Sequence, residues 1–273
     1  MTWAARTRSP GHRLRYGGGA CGIERLEAVL VGEGFSPHRH DTYAVGVTLS
    51  GTQTFRYRGR LRYCLAGEWH VLHPDEVHDG VPGTADGFGY RIVHLDPVLV
   101  QEALGGQPLP FVADPVIRDG GHPLAEYLAD MDETLDDLRA AELTTAVADL
   151  LVRHADRSFR RRAPLDLPAL LRVRALLLDD PQSAHSAADL EGVSGLDRWT
   201  LARQFRAAFG TSPTRFRTMR RVDRARELIR AGGRLGDVAA LAGFADQSHL
   251  TRMFKRAYGL TPAAWAEAVR AAG

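Results

Sequence analysis

The stretch LDRWTLARQFRAAFGTSPTRF, Leu196 to Phe216, has a counterpart in GFADQSHLTRMFKRAYGLTPAAW, Gly243 to Trp265. Leu201, Arg203, Phe205, Arg206, Phe209, Gly210, Ser212, Pro213 and Phe216 pair with Leu250, Arg252, Phe254, Lys255, Tyr258, Gly259, Thr261, Pro262 and Trp265. Each pair is 49 residues apart and identical or chemically similar. Chance does not produce nine such pairs, so this part of the chain builds one structural unit twice.

The second copy shows what the unit is. DVAALA, from Asp237, reads as a short helix of small apolar residues. Gly243 ends it, because a sharp turn favours a residue free to take positive φ. Asp246 then caps a helix over QSHLTRMFKRAYG, which Gly259 closes. Helix, short glycine turn and second helix make a helix-turn-helix, whose second helix fits the major groove of DNA. Leu250, Phe254 and Tyr258 fall at i, i+4 and i+8 on the core face, leaving Gln247, Ser248, Thr251, Arg252 and Lys255 outside. Glutamine and arginine bond bidentately to adenine and guanine edges.

The first copy repeats the plan with a helix from Ala188 to Ser194, a turn at Gly195, a cap at Asp197 and a second helix from Trp199 to Phe209. Trp199, Thr200, Ala202, Arg203 and Arg206 remain for its outer face. Ser212 and Pro213 start the helix that joins the copies, with Phe216, Met219, Val222, Leu228 and Ile229 as its buried side. A helix of about 18 residues at ~1.5 Å each spans roughly 27 Å, near the ~34 Å helical repeat of DNA.

These residues closely resemble the helix-turn-helix signature of the AraC/XylS family of transcription regulators, over Leu165 to about Ala268. The resemblance implies two recognition helices entering successive major grooves. It implies base-edge contacts from Trp199, Ala202, Arg203, Gln247, Ser248, Thr251 and Arg252, and phosphate contacts from Arg206, Lys255 and Arg256. Glu191 departs from the pattern, since its counterpart Ala239 is small; its carboxylate is expected at a solvated edge or as a weak point in the first copy's packing.

Charge divides the chain in the same sense. Residues 1–152 carry 13 arginines against 21 acidic residues, a balance of −8, and residues 153–273 carry 22 basic against 12 acidic, a balance of +10. An acidic half followed by a basic half suits a nucleic-acid reader attached to something that does not bind nucleic acid. The chain of 273 residues has room for two domains. It lacks the run of ~18–20 apolar residues that a membrane span needs, and its basic N-terminal stretch has no apolar h-region, so it is not expected to act as a secretory signal. With Cys21 and Cys64 as its two cysteines, a cytoplasmic protein with reduced thiols is expected.

From about Ile23 to His94 the texture is β. FRYRGRLRYCL sets Phe55 and Tyr57, then Leu61, Tyr63 and Leu65, in alternation around Gly59, and YAVGVTL and WHVLH read as further strands. Leu124, Leu128, Met131, Leu135 and Leu138 then step by 4, 3, 4 and 3, a stripe on one helix face that packs on its own domain or forms a dimer seam. The expected fold class is α+β multidomain: a β-barrel over 1–100, a helical extension over 101–156, a basic linker over 157–165 and an all-α reader over 166–273.

HRHDTYAVGVTLSG and GEWHVLHPDEVHDG resemble the two motifs of cupin barrels and the sensor domain of the same regulators. In metal cupins a H-x-H pair, a glutamate and a later histidine hold one ion, which the resemblance carries to His38, His40 and His78. Here Ala44 and Val45 stand where the glutamate belongs, and Asp41 is expected to point away from both histidines, so no cofactor is expected. Three imidazoles alone can hold zinc. A small barrel encloses one ligand, and His38, His40, Tyr43, Tyr57, His78, Tyr90 and Arg91 are the expected effector contacts, with Trp69 beside them and Arg91 favouring an anion. The sequence thus points to a non-enzymatic, effector-responsive regulator bound to double-stranded promoter DNA, with a homodimer and RNA polymerase as partners by family resemblance. A metal-dependent cupin enzyme with a DNA-binding tail and an effector-independent DNA binder are the alternatives.

Overall fold

The computed structural model describes residues 12–118, 120–156 and 165–272; most of the linker expected over 157–165 lies outside them. The N-terminal part holds the strands β1 (Arg13–Tyr16), β2 (Ile23–Leu30), β3 (Phe35–His38), β4 (Tyr43–Tyr57), β5 (Arg60–Leu65), β6 (Trp69–Leu72), β7 (His78–Pro82), β8 (Phe88–Leu95) and, after one helix, β9 (Val116–Ile117). The long strand β4 organises them. Its first half pairs with β6 and β8, and its second half pairs with β5 and β7, the switch coming after a register shift between Thr48 and Ser50. One sheet runs β1-β2-β8-β4-β6-β9, the other joins β3, β7, β4 and β5, and the two close into a barrel.

The hairpin expected around Gly59 is present, with Tyr57 opposite Arg60 and positive φ at both Arg58 and Gly59, the backbone of a two-residue type I′ turn. Its faces differ from the expectation. Phe55 and Tyr57 are buried, whereas Leu61, Tyr63 and Leu65 lie exposed and Cys64 fills the interior. The turn sets the register, and Leu61, Tyr63 and Leu65 consequently point away from the core.

Helices α1 (Pro97–Ala103), α2 (Leu124–Ala129) and α3 (Asp137–Arg153) cover the outside of the first sheet. The single leucine-striped helix is a further correction, because the chain breaks between α2 and α3. Arg25, fully buried on β2, donates to the carbonyls of Tyr127, Asp130 and Glu133, and so draws the backbone out of helical pairing. Leu124, Leu128, Met131 and Leu135 are buried in the domain itself, with only Leu138 of the stripe exposed, so this face is no dimer seam.

The C-terminal part holds α4 (Leu167–Asp179), α5 (Ala187–Ser194), α6 (Arg198–Phe209), α7 (Pro213–Arg230), α8 (Leu235–Leu241), α9 (Gln247–Tyr258) and α10 (Pro262–Arg270). Pairs α5–α6 and α8–α9 are the two helix-turn-helix units. Asp197, Ser212, Asp246 and Thr261 each accept backbone N–H bonds at the starts of α6, α7, α9 and α10. Glu191 sits at the partly solvated edge and is no weak point: it accepts from the Arg198 backbone N–H at 2.7 Å and from the Arg198 guanidinium, tying α5 to the start of α6. Phe205, Phe209 and Phe216 centre one core, while Phe254 and Trp265 join a core that continues into the barrel through Leu14, Leu26 and Tyr90.

Candidate effector cavity and DNA-reading helices

On α6, Trp199, Ala202 and Arg203 are exposed, Trp199 to 76%, which is far from a tryptophan's usual burial. On α9, Gln247, Ser248, Arg252, Lys255 and Arg256 are exposed and Thr251 is half-buried. Both faces therefore carry guanidinium, hydroxyl or amide groups over a buried row, Leu201, Phe205 and Phe209 in one and Leu250, Phe254 and Ala257 in the other. Arg206 differs from the rest of its face. Its Nη2 lies 3.1 Å from Asp75 of the barrel.

The barrel opens onto a cavity of about 690 Å3. Its inner wall carries His38, His40, His70, His78 and His94, with Gln53 and Tyr90; its outer wall is Met219, Arg220, Asp223 and Arg226 of α7, Tyr258 of α9 and Trp265 of α10. The helix joining the two DNA readers thus forms part of the ligand chamber. Ion pairs to the barrel hold it there, Arg220 to Asp41 at 2.7 Å and Arg226 to Glu24 at 2.8 Å, while Asp223 of the same helix braces Arg220 at 3.0 Å. Burial pushes the Asp41 carboxyl up to about 6, and the Arg220 guanidinium beside it pulls against that rise.

The histidines are set by backbone. The Nδ1 atoms of His38, His40 and His78 donate to the carbonyls of Ser36, Thr42 and Glu76 at 2.8 to 2.9 Å. A carbonyl only accepts, so in each neutral ring the proton sits on Nδ1 and the Nε2 lone pair is free for a guest. Burial keeps the rings uncharged, lowering His38 to about 4, His40 to about 3 and His78 well below its usual value, with mutual repulsion adding to the last two. His70 is fully buried, and neither of its ring nitrogens, nor Oε1 of Gln53, finds a partner among the described residues. Buried polar atoms without partners lose roughly 1–3 kcal/mol each, so these atoms mark where a guest's polar groups would sit.

Of the seven effector contacts read from the sequence, His38, His40, His78 and Tyr90 line this cavity, and the other three lie elsewhere. Tyr43 donates to the Pro110 carbonyl, Tyr57 meets His73, and Arg91 is spent on Glu27 and the carbonyls of Leu128 and Ala129. Trp69 is packed in the core beneath α3. Asp41 lines the cavity too, its carboxylate turned to Arg220 of α7. His94 was missed because it lies outside both motifs, and His70 because, though inside the second, it is not the motif's ligand histidine; each occupies an alternating strand position. For a metal, ring centroids of His38 and His78 lie 4.3 Å apart and of His40 and His78 4.8 Å apart. Among the described residues, however, no group of three or more His, Cys, Asp or Glu side chains is arranged to hold an ion.

A barrel whose ligand chamber is closed by the helix linking two DNA-reading units defines a two-domain, ligand-responsive transcription regulator. The family model for an AraC-like ligand binding domain matches residues 20–171, and that for a helix-turn-helix domain matches residues 192–268. The chain belongs to the AraC family of transcriptional regulators. It is 27% identical over 225 residues to the uncharacterized HTH-type transcriptional regulator YbfI of Bacillus subtilis, covering 79% of this chain and 81% of that one. It is 25% identical over 251 residues to the HTH-type transcriptional activator RhaS of Klebsiella pneumoniae, covering 87% and 89%. Among solved structures, ToxT of Vibrio cholerae superposes with a TM-score of 0.65 at 12% identity, covering 91% of this chain and 99% of ToxT, which shows the shared fold.

Proposed function

We propose that this regulator senses a small polar molecule bearing hydrogen-bond donors, bound between the barrel histidines and helix α7, and that binding changes how α6 and α9 are presented to DNA. One observation carries the reading: the chamber wall opposite the histidines is the helix that spaces the two readers. A guest there touches both domains at once, so it favours one arrangement over the other by its differential contacts. The chamber's volume of about 690 Å3 suits a small ligand. Its inner wall offers Nε2 lone pairs and the Gln53 carbonyl, which call for donors. Its lining guanidiniums Arg220, Arg224 and Arg226 are already paired with carboxylates, which disfavours the anion suggested by Arg91.

Regulator relatives support a non-enzymatic protein over a metal-dependent one. The described residues include no helix long and apolar enough to cross a membrane. A cytoplasmic homodimer acting beside RNA polymerase is part of the proposal, on family likeness.

Linkage supplies the test. The metabolites handled by genes beside the bound promoter sites are assayed for binding to full-length protein with and without operator DNA. One of them is expected to bind with an affinity that changes on adding DNA by the same factor by which it changes DNA affinity. Binding without any such coupling would overturn the reading. On the DNA side, Arg252→Ala is expected to weaken operator binding by about 1–3 kcal/mol and to relax base choice at one position. Selection of bound sites from random duplexes checks this; an unaltered motif contradicts the placement of α9.

A further inference from the structure

The feature that the effector reading leaves unused is Asp75. Its side chain is 4% exposed, yet three arginines converge on it: Arg215 of α7 at 2.5 Å, Arg206 of α6 at 3.1 Å and Arg39 of the barrel at 3.8 Å. Arg206 is an expected phosphate contact of the first reader. We propose that Asp75 is an internal stand-in for a DNA phosphate, an autoinhibitory clasp that withholds Arg206 and Arg215 from DNA while the sensor is docked. The proposal rests on the reading of α6 as a DNA-contacting helix.

The geometry around Asp75 is built for the purpose. Its φ is +64°, a left-handed backbone that non-glycine residues seldom adopt, and its N–H donates to the carbonyl of His40 at 2.7 Å. The same His40 lines the effector chamber, so the clasp and the chamber share one residue. Pro74, just before, seats against Gly210 at the end of α6, where a Cβ would come within 2.3 Å of the proline ring. The repeat partner Gly259, at the end of α9, meets the barrel in the same way: a Cβ there would lie 2.8 Å from Phe35, and its carbonyl accepts from Ser36 N–H. Both readers are thus gripped at the corresponding glycine, but among the described residues only the first also has a basic side chain of its outer face neutralised. A carboxylate presents two oxygens to an arginine fork much as a phosphate does, and the two compete for it.

The test is Asp75→Asn in the full chain, since asparagine tolerates left-handed φ and keeps the shape while removing the charge. Affinity for an operator duplex is measured without effector at several salt concentrations. The variant is expected to bind roughly three- to tenfold more tightly and to show a salt slope steeper by about one to two, one unit per phosphate newly engaged. Adding Arg206→Ala should remove about one unit of that slope. Affinity and slope unchanged or lowered, with a melting temperature like the parent's, would overturn the clasp. If Trp199→Ala and Arg203→Ala also bind like the parent, the reading of α6 itself has failed; if they weaken binding, only the clasp has.

Discussion

Lowering the pH from 7 to about 5.5 is expected to strip this protein of roughly 4–8 kcal/mol of folding stability, well before most carboxylates titrate. Burial depresses His12 and, more strongly, six further histidines: His38 and His70 to about 4, His40 and His73 to about 3, and His78 and His94 well below their usual range. Above pH 6.5 these rings are neutral whether the chain is folded or not, and their neutral packing stabilises in full. Below it the unfolded chain takes up protons that the folded one refuses. Stability is therefore lost from about pH 6.5 down towards the folded values of about 4 and 3. One unit below 6.5, each ring contributes about 1.4 kcal/mol at most, and half that allows for hydration of the cavity. Asp41, raised to about 6, acts in the opposite direction, but it is one group against six. Since a domain's total stability is about 5–15 kcal/mol, urea titrations at the two pH values should differ visibly. A difference below about 1 kcal/mol would mean that the histidine wall is hydrated and open.

The second large effect concerns the tandem unit. Phe254→Ala is expected to cost about 3–5 kcal/mol and to lower the melting temperature by about 10 °C. Phe254 is fully buried, with its ring centroid 4.7 Å from that of Tyr258 and 5.9 Å from that of Trp265. Its core runs on into the barrel, so the cavity left behind weakens both the second reader and its seat on the sensor. The repeat partner Phe205 is buried equally, between Phe209 at 4.6 Å and Phe216 at 5.9 Å, and its removal should cost a similar amount. Calorimetry of the two variants checks this. A loss under about 1 kcal/mol in either would contradict the shared packing plan.

The reader was legible residue by residue because its rules are local. Asp246 caps α9, Gly259 closes it, and Leu250 and Phe254 lie buried one turn apart, all within one helix of 12 residues and its two caps. What escaped depends on distant partners. The break between α2 and α3 is decided by Arg25, about a hundred residues earlier in the chain. The outward face of β5 follows from a register that no periodicity in Leu61, Tyr63 and Leu65 reveals. The H-x-H pair and His78 announced a histidine wall, but His70, His94 and Gln53 join it only through pairing around β4. That α7 closes the chamber follows from ion pairs such as Arg220 with Asp41, 179 residues apart. Such contacts carry no local signal.

The central claim, that two linked helix-turn-helix units read promoter DNA together, is met most directly by genome-wide capture of DNA fragments on the purified full-length protein at physiological salt. The expected result is a small set of promoter sites sharing a bipartite motif, its halves about one helical turn, 10 to 10.5 base pairs, apart. Capture that is spread over the genome, falls away with salt and yields no common motif would contradict it, leaving only phosphate attraction to the basic half of the chain.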